Sequence, residues 1–193
     1  MQGTTYTRPA VLFHWVMAAL ILFNLPLGLI TPQLEYGITR LVLLRVHAGL
    51  GVLVLVLSLG RGAWRLMHQP PALPESTSPL IRRASHAAHT ALYVLMFSLP
   101  LSCIAMVFAA GTYRVLLGLP MSNSPDFEAA ALPAAVHVAG AFVLMGLLAL
   151  HVGAVLLHQL VWRDGLLTRM TWGTRKPSAA IEHLAITANA PRA

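Results

Sequence analysis

Four long apolar segments, separated by shorter polar stretches, dominate the chain. They cover residues 10–30, 44–66, 86–109 and 134–162. Each is long enough to cross the apolar layer of a membrane, which takes about 20 residues. Glycine or proline occurs in every segment, and bundled membrane helices tolerate both because neighbouring groups satisfy the interrupted backbone. The pattern predicts an all-α protein, an integral membrane four-helix bundle that forms one domain over residues 1–172.

Composition and charge support this class and predict an orientation. The chain is 57% hydrophobic and 10% charged, whereas soluble domains average about 25% charged residues. With four spans, both termini and the loop between spans two and three lie on one side, which carries ten of the thirteen Lys and Arg residues. The positive-inside rule then places both termini in the cytoplasm. The net charge of +7 is thus a topology signal with a contribution to anionic-lipid binding, and it does not indicate nucleic-acid binding.

The remaining segments give short predictions. The first span carries His14, Trp15 and Asn24 in its apolar run, so we expect it to remain as a helix and not to be cleaved as a signal sequence. An apolar patch at 113–120 predicts a short helix on the membrane surface. Residues 173–193 are polar and aperiodic, which predicts a disordered cytoplasmic tail. Cys103 is the single cysteine and has no disulfide partner in the chain.

Histidines are the candidate chemistry of the spans. Seven of the nine lie within or at the ends of the apolar segments, where ionisable side chains are costly and usually functional. His137 and His151 are fourteen residues apart in one segment, which is close to four helical turns, so the two imidazoles share a face about 21 Å apart. This spacing predicts two stacked centres, one near each membrane surface.

Depth along each span matches the other histidines to these two levels. At about 1.5 Å per residue, His14 falls on the cytoplasmic side of its span, as His151 does. His47 and His137 both fall on the outer side. His86, His89 and His158 fall further toward the cytoplasm, at head-group depth, where a polar ligand can enter from the bilayer. Each pair can hold one centre between two helices, while a helix–helix hydrogen bond is the alternative for any single histidine.

Haem suits such pairs better than zinc does. Zinc sites use four nitrogen or sulfur ligands, whereas two facing imidazoles complete the axial positions of a haem iron. The chain has no C-x-x-C-H sequence, which indicates non-covalent b-type haem. Two histidine ligands leave electron transfer as the chemistry. Gly28 follows His14 by fourteen residues and Arg61 follows His47 by fourteen, which predicts room for one porphyrin and a propionate partner for the other, with coincidence as the alternative.

The sequence resembles the bacterial cytochrome b561 family at several groups of residues. They are His14-Trp15, Arg45 to Gly49 around His47, His86 and His89 followed by Leu99-Pro100, His151, His158, Trp162 to Gly165, and Arg169-Met170. The resemblance runs over about residues 6–172. It implies that His14 and His151 are axial ligands of a cytoplasmic-side haem, and that His47 and His137 are those of an outer haem. Cys103 departs from the family, in which glycine is usual after the Leu-Pro pair.

The resemblance also implies a function, an electron carrier of the bacterial inner membrane with two haem b groups that reduces ubiquinone. Small stand-alone members oxidise superoxide, and we expect this chain to do the same. We assign haem packing or propionate binding to Gly28, Arg45, Gly49 and Arg61, quinone binding to Arg83, His86, His89, His158 and Trp162, and anion steering to Arg40, Arg45 and Arg114. The alternative for His89 and His158 is helix-end capping, and that for the three steering arginines is binding of lipid phosphates or haem propionates.

Two alternative functions stay open at this point. The chain can be a cytochrome b anchor subunit that takes electrons from a periplasmic dehydrogenase or hydrogenase. A non-haem membrane scaffold or transporter is the more remote alternative. An optical spectrum distinguishes the second from a cytochrome, and co-purification of a soluble redox partner distinguishes the first from a stand-alone enzyme.

Overall fold

A computed structural model describes residues 5–71, 78–120 and 125–171. Within these ranges the protein contains helices and turns and no strand. The helices are α1 (Arg8–Ile30), α2 (Ile38–Met67), α3 (Pro79–Ala109), α4 (Tyr113–Leu116) and α5 (Phe127–Leu157). A 3₁₀ turn (Thr31–Gln33) extends α1, a π-helical turn (His158–Trp162) extends α5, and a second 3₁₀ turn (Leu167–Met170) follows.

Four of these helices are long and apolar enough to cross a membrane, namely α1, α2, α3 and α5 with their extensions. Most of their large apolar side chains are exposed, as expected of a surface that faces lipid. The all-α membrane-bundle prediction is therefore confirmed, and the short helix predicted near residue 113 is present as α4. The side on which the termini lie stays a prediction, and the predicted tail at 173–193 falls outside the described residues.

The helices begin earlier than the hydropathy pattern predicted. Helix α3 begins at Pro79, where the Ser78 hydroxyl accepts a hydrogen bond from the Ile81 amide at 3.3 Å. Helix α5 begins at Phe127, where the Asp126 carboxylate accepts one from the Ala129 amide at 2.9 Å. Such caps satisfy free amides of the first turn. Hydropathy detects only the apolar part of a helix, so the starts predicted at 86 and 134 are each seven residues late.

Helices pack mainly on their neighbours in the chain, α1 on α2, α2 on α3 and α3 on α5. One buried apolar cluster lies at mid-height, formed by Met17, Ile21, Val54, Met96, Leu99 and Leu144. Ile21 is seven residues after His14, Val54 seven after His47, and Leu144 midway between His137 and His151. Seven residues are close to two helical turns, so this apolar layer lies between the two histidine levels.

Each end of the bundle is held by contacts outside the spans. At the end that carries residues 5–7, 64–71 and 163–171, here called the terminal end, the Trp15 indole donates to the Met170 carbonyl at 2.7 Å. The Trp64 indole donates to the Thr7 hydroxyl at 2.9 Å. At the other end, called the loop end (residues 31–37 and 110–120), Arg45 donates to the Val115 carbonyl at 2.7 Å and so ties α2 to α4.

Candidate functional site

Two pairs of histidine rings face each other inside the bundle. His14 and His151 form the terminal pair, with ring centres 6.3 Å apart. His47 and His137 form the loop pair, with ring centres 6.1 Å apart. Two imidazoles on opposite sides of one metal ion have centres about 6.3 Å apart, because each metal–nitrogen bond is about 2 Å and each nitrogen lies about 1.15 Å from its ring centre. Both spacings fit a shared metal.

Each histidine pair joins two helices that do not pack extensively on each other. The terminal pair joins α1 to α5, and the loop pair joins α2 to α5, whereas the extensive contacts are between helices adjacent in the chain. At the two histidine levels, above and below the apolar layer that includes Leu144, the space between α5 and the first two helices is thus spanned by histidine side chains. A flat apolar group with a central metal fits such a space, as cofactors in helix bundles do.

Backbone carbonyls orient both rings of the loop pair. His47 donates through Nδ1 to the Asn24 carbonyl at 3.2 Å. His137 donates through Nδ1 to the Leu99 carbonyl at 2.9 Å, with the Ser102 hydroxyl nearby at 3.3 Å. Since a carbonyl oxygen only accepts, each Nδ1 carries the proton and each Nε2 keeps a lone pair for a metal. This arrangement is usual for metal-binding histidines.

An apolar cavity opens beside the loop pair. Both histidines line it together with Asn24, Gly51, Cys103 and Leu116, among others. Asn24 and Gly51 were not singled out from the sequence, and the role of Cys103 was left open there.

The glycines differ in what surrounds them. A Cβ on Gly28 would lie 2.8 Å from Cε1 of His47, so this position permits the close approach of α1 to the ring. A Cβ on Gly49 would meet nothing within 4 Å, and Gly49 is exposed. Gly28 therefore belongs to the loop pair, while the structure brings Gly49 to neither pair.

The terminal pair has a third histidine beside it. The ring of His89 lies 5.5 Å from that of His151, and its Nδ1 donates to the Ser85 carbonyl at 2.7 Å. Arg61 lies over the Tyr93 ring at 5.5 Å and lines a second cavity with Trp64, Arg65 and Tyr93. The sequence placed His89 near the membrane surface with His158, whereas the structure places it against His151.

The other residues assigned to quinone lie at the terminal end. His158 donates through Nδ1 to the Asp164 carboxylate, and its ring lies 4.5 Å from that of Trp162. Desolvation raises the pKa of the Asp164 carboxyl, but hydrogen bonds from His158 and the Leu166 amide outweigh it and hold that pKa below its usual value. Arg83 and His86 are exposed on α3. The sequence interpretation gave Asp164 no role.

All three arginines assigned to anion steering donate to backbone carbonyls at the loop end. Arg40 donates to Leu34 at 3.1 Å and Arg114 to Pro120 at 3.0 Å. Arg45 donates through Nη2 to Val115, while its Nε is buried without a hydrogen-bond partner among the described residues. A buried donor without a partner is costly, so Arg45 is the best placed of the three to receive a carboxylate.

Comparison with known proteins gives a consistent result. The family model for prokaryotic cytochrome b561 matches residues 5–173. A Yersinia pestis protein named probable superoxide oxidase CybB is 31% identical over 127 residues, covering 65% of this chain and 72% of the relative. Cytochrome b561 homolog 2 of Escherichia coli K12 is 29% identical over 163 residues, covering 82% and 86%. Cytochrome b561 homolog 1 of the same strain is 25% identical over 168 residues, covering 86% and 96%.

Proposed function

Because the chain belongs to the prokaryotic cytochrome b561 family of bacterial multi-pass membrane electron carriers, we propose that it binds two b-type haems and transfers electrons from superoxide to ubiquinone. The observation that carries this proposal is that the terminal pair and the loop pair lie at two levels of one bundle, with ring centres 6.3 and 6.1 Å apart. Family membership also argues against the non-haem scaffold. The positive-inside rule favours an orientation in which the terminal end lies on the cytoplasmic side of the bacterial inner membrane.

Haem bound by these histidine pairs would supply one-electron transfer. The protein side chains supply the framework. His14 and His151 hold one group near the terminal end, and His47 and His137 hold the other near the loop end. The buried layer that includes Ile21, Val54 and Leu144 keeps water out of the space between the two levels.

The loop end is where superoxide would arrive. Arg40, Arg45 and Arg114 lie there, and positive charge raises the local concentration of a small anion. Two superoxide anions each lose one electron and leave as two molecules of O₂. Three carboxylates belong to this same end, those of Glu35, Asp126 and Glu128. They reduce the net positive charge that an anion meets.

The terminal end is where ubiquinone would be reduced. Two electrons and two protons convert one quinone to quinol, so the site needs a proton donor. His158 is oriented by Asp164 and stacked edge-on against Trp162, and histidine donates protons near neutral pH. An indole and an imidazole side by side suit the flat polar head of a quinone that enters from the bilayer.

Replacing His158 with alanine should slow quinone-dependent oxidation of the reduced cytochrome without removing haem. The reason is that the substitution removes the proton donor and leaves both histidine pairs intact. Stopped-flow spectra with a ubiquinone analogue measure the rate, and we expect a loss on the order of 10²-fold, as for removal of a general acid. His68→Ala, which removes an exposed histidine of the same end, is the control. An unchanged rate in His158→Ala would return this residue to a structural role.

Haem reduction by superoxide should slow as salt concentration rises. Exposed charges are screened over about 10 Å at 0.1 M salt, so steering by the arginines of the loop end weakens. Neutralising Arg40 or Arg114 with glutamine should lower both the rate and its salt dependence, at unchanged haem content. A rate that does not depend on salt would favour a neutral donor or a docked periplasmic dehydrogenase, which co-purification would then identify.

A further inference from the structure

His89 is the histidine of the bundle whose surroundings fit its assigned role least. It lies on α3, and its ring centre is 5.5 Å from that of His151, which is closer than His14 at 6.3 Å. A metal between two imidazoles needs about 6.3 Å between ring centres. A direct N–H···N hydrogen bond needs about 5.3 Å, because the nitrogens are then about 3 Å apart. The spacing of His89 and His151 is nearer to the second value.

The protonation of His89 is fixed by its own hydrogen bond. Its Nδ1 lies 2.7 Å from the Ser85 carbonyl oxygen, which can only accept. Nδ1 therefore carries the proton, and in a neutral imidazole Nε2 is then an acceptor. His89 thus presents an acceptor on the side of its ring away from Ser85.

The two histidine pairs differ in how their outer nitrogens are satisfied. In the loop pair both Nδ1 atoms donate to carbonyls, of Asn24 and Leu99. Among the described residues the structure shows no hydrogen bond from either ring of the terminal pair. A histidine that binds metal through Nε2 almost always donates its Nδ1 proton to a carbonyl, carboxylate or other acceptor. His151 has one neighbour of this kind at ring distance, and that neighbour is His89.

We propose that His89 is a positioning residue for the terminal-pair haem: when His151 is an axial ligand, the 5.5 Å ring contact of this structure closes into a hydrogen bond in which Nδ1 of His151 donates to Nε2 of His89. The proposal rests on the proposed function in one respect, that His151 is an axial ligand. The chain of contacts then runs from the Ser85 carbonyl through His89 to His151. An acceptor on the outer nitrogen raises the basicity of a metal-binding imidazole, which stabilises oxidised iron and lowers the potential of that haem. His89 on this account does not bind quinone.

Redox titration of purified holoprotein variants tests the inference. His89→Leu removes the acceptor at similar volume and should raise the midpoint potential of one haem while the other stays unchanged. His89→Gln keeps an acceptor oxygen and should return the potential toward that of the unmutated protein. His68→Leu, at an exposed histidine of the same end that stacks on Trp64 and belongs to neither pair, is the control and should shift neither haem.

The other possible results of these titrations each support or overturn the role of His89. Unchanged potentials in His89→Leu at full haem content overturn the inference, and slower quinone reduction with unchanged potentials would assign His89 to quinone. Loss of the terminal-pair haem in His89→Leu with retention in His89→Gln supports the inference, whereas loss in both variants overturns it. Failure of the proposed function is separate, because it appears as one haem or none in the unmutated protein.

Discussion

Replacing His151 with alanine should remove the terminal-pair haem and leave the loop-pair haem, and His137→Ala should do the reverse. Each histidine belongs to one pair, with ring centres 6.3 and 6.1 Å from its partner. The buried layer around Leu144 separates the two levels, so a cavity left at one level should not reach the other. Haem quantification should give one haem in each variant, where the unmutated protein has two. Redox titration should show that the midpoint potential lost in His151→Ala is not the one lost in His137→Ala.

The control for this pair of variants is His68→Ala, whose exposed imidazole stacks on Trp64 at 3.9 Å and belongs to neither pair. It should retain both haems. Loss of the same single haem by His151→Ala and His137→Ala, in protein that keeps its helical circular dichroism, would contradict two separate levels. Retention of two haems by either variant would mean that its histidine is not a ligand.

The pairing of histidines followed from the sequence because helical periodicity transmits position along a helix. Fourteen residues place His137 and His151 on one face, and any helix packed beside α5 then presents its own residues at the same two levels. Periodicity does not fix the direction in which His14 and His47 point around their own helices, and the structure shows that both rings lie beside α5 histidines. The structure brings the rings of each predicted pair to 6.3 and 6.1 Å, and it adds His89 at 5.5 Å from His151.

The position of His89 did not follow, and the reason is the helix boundary. The hydropathy pattern predicts this span at 86–109, and His89 lies about 13 Å from the middle of that range. The observed helix α3 begins at Pro79, so its midpoint moves by three to four residues and His89 lies only about 8 Å from it. Helix α5 with its extension begins at Phe127 and ends at Trp162, which moves His151 outward to about 10 Å. The two rings are then at one level.

Asp164 was missed for a different reason. It follows the last span, where hydropathy gives no information, and it reaches His158 only because the chain turns back. Arg163 and Gly165 have positive φ values, 51° and 70°, a conformation that glycine adopts readily. The Asp-Gly sequence is a turn signal, and a turn directly after a helix that ends near a histidine could have indicated the contact.

Gly28→Ala should weaken or abolish haem binding at the loop pair. The added Cβ would lie 2.8 Å from Cε1 of His47, and the hydrogen bond of the ring to the Asn24 backbone carbonyl, one turn earlier on α1, holds it against this part of the helix. The ring must therefore move, and displacing a ligand or its support typically lowers metal affinity by about 10–100-fold. Helix propensity acts in the opposite direction, since alanine is more favourable than glycine in a helix by about 1 kcal/mol.

A second glycine separates the steric effect of the added Cβ from its effect on helix propensity. Gly146→Ala, in α5 with nothing within 4 Å of the added Cβ, changes propensity in the same way and should raise thermal stability without changing haem content. Gly28→Ala should lose the loop-pair haem even if its helices are as stable as those of the control. Haem titration of the two variants, followed by the optical spectrum and circular dichroism, separates the effects. Full haem content and an unchanged spectrum in Gly28→Ala would show that the His47 ring is not held where the loop-pair haem requires it.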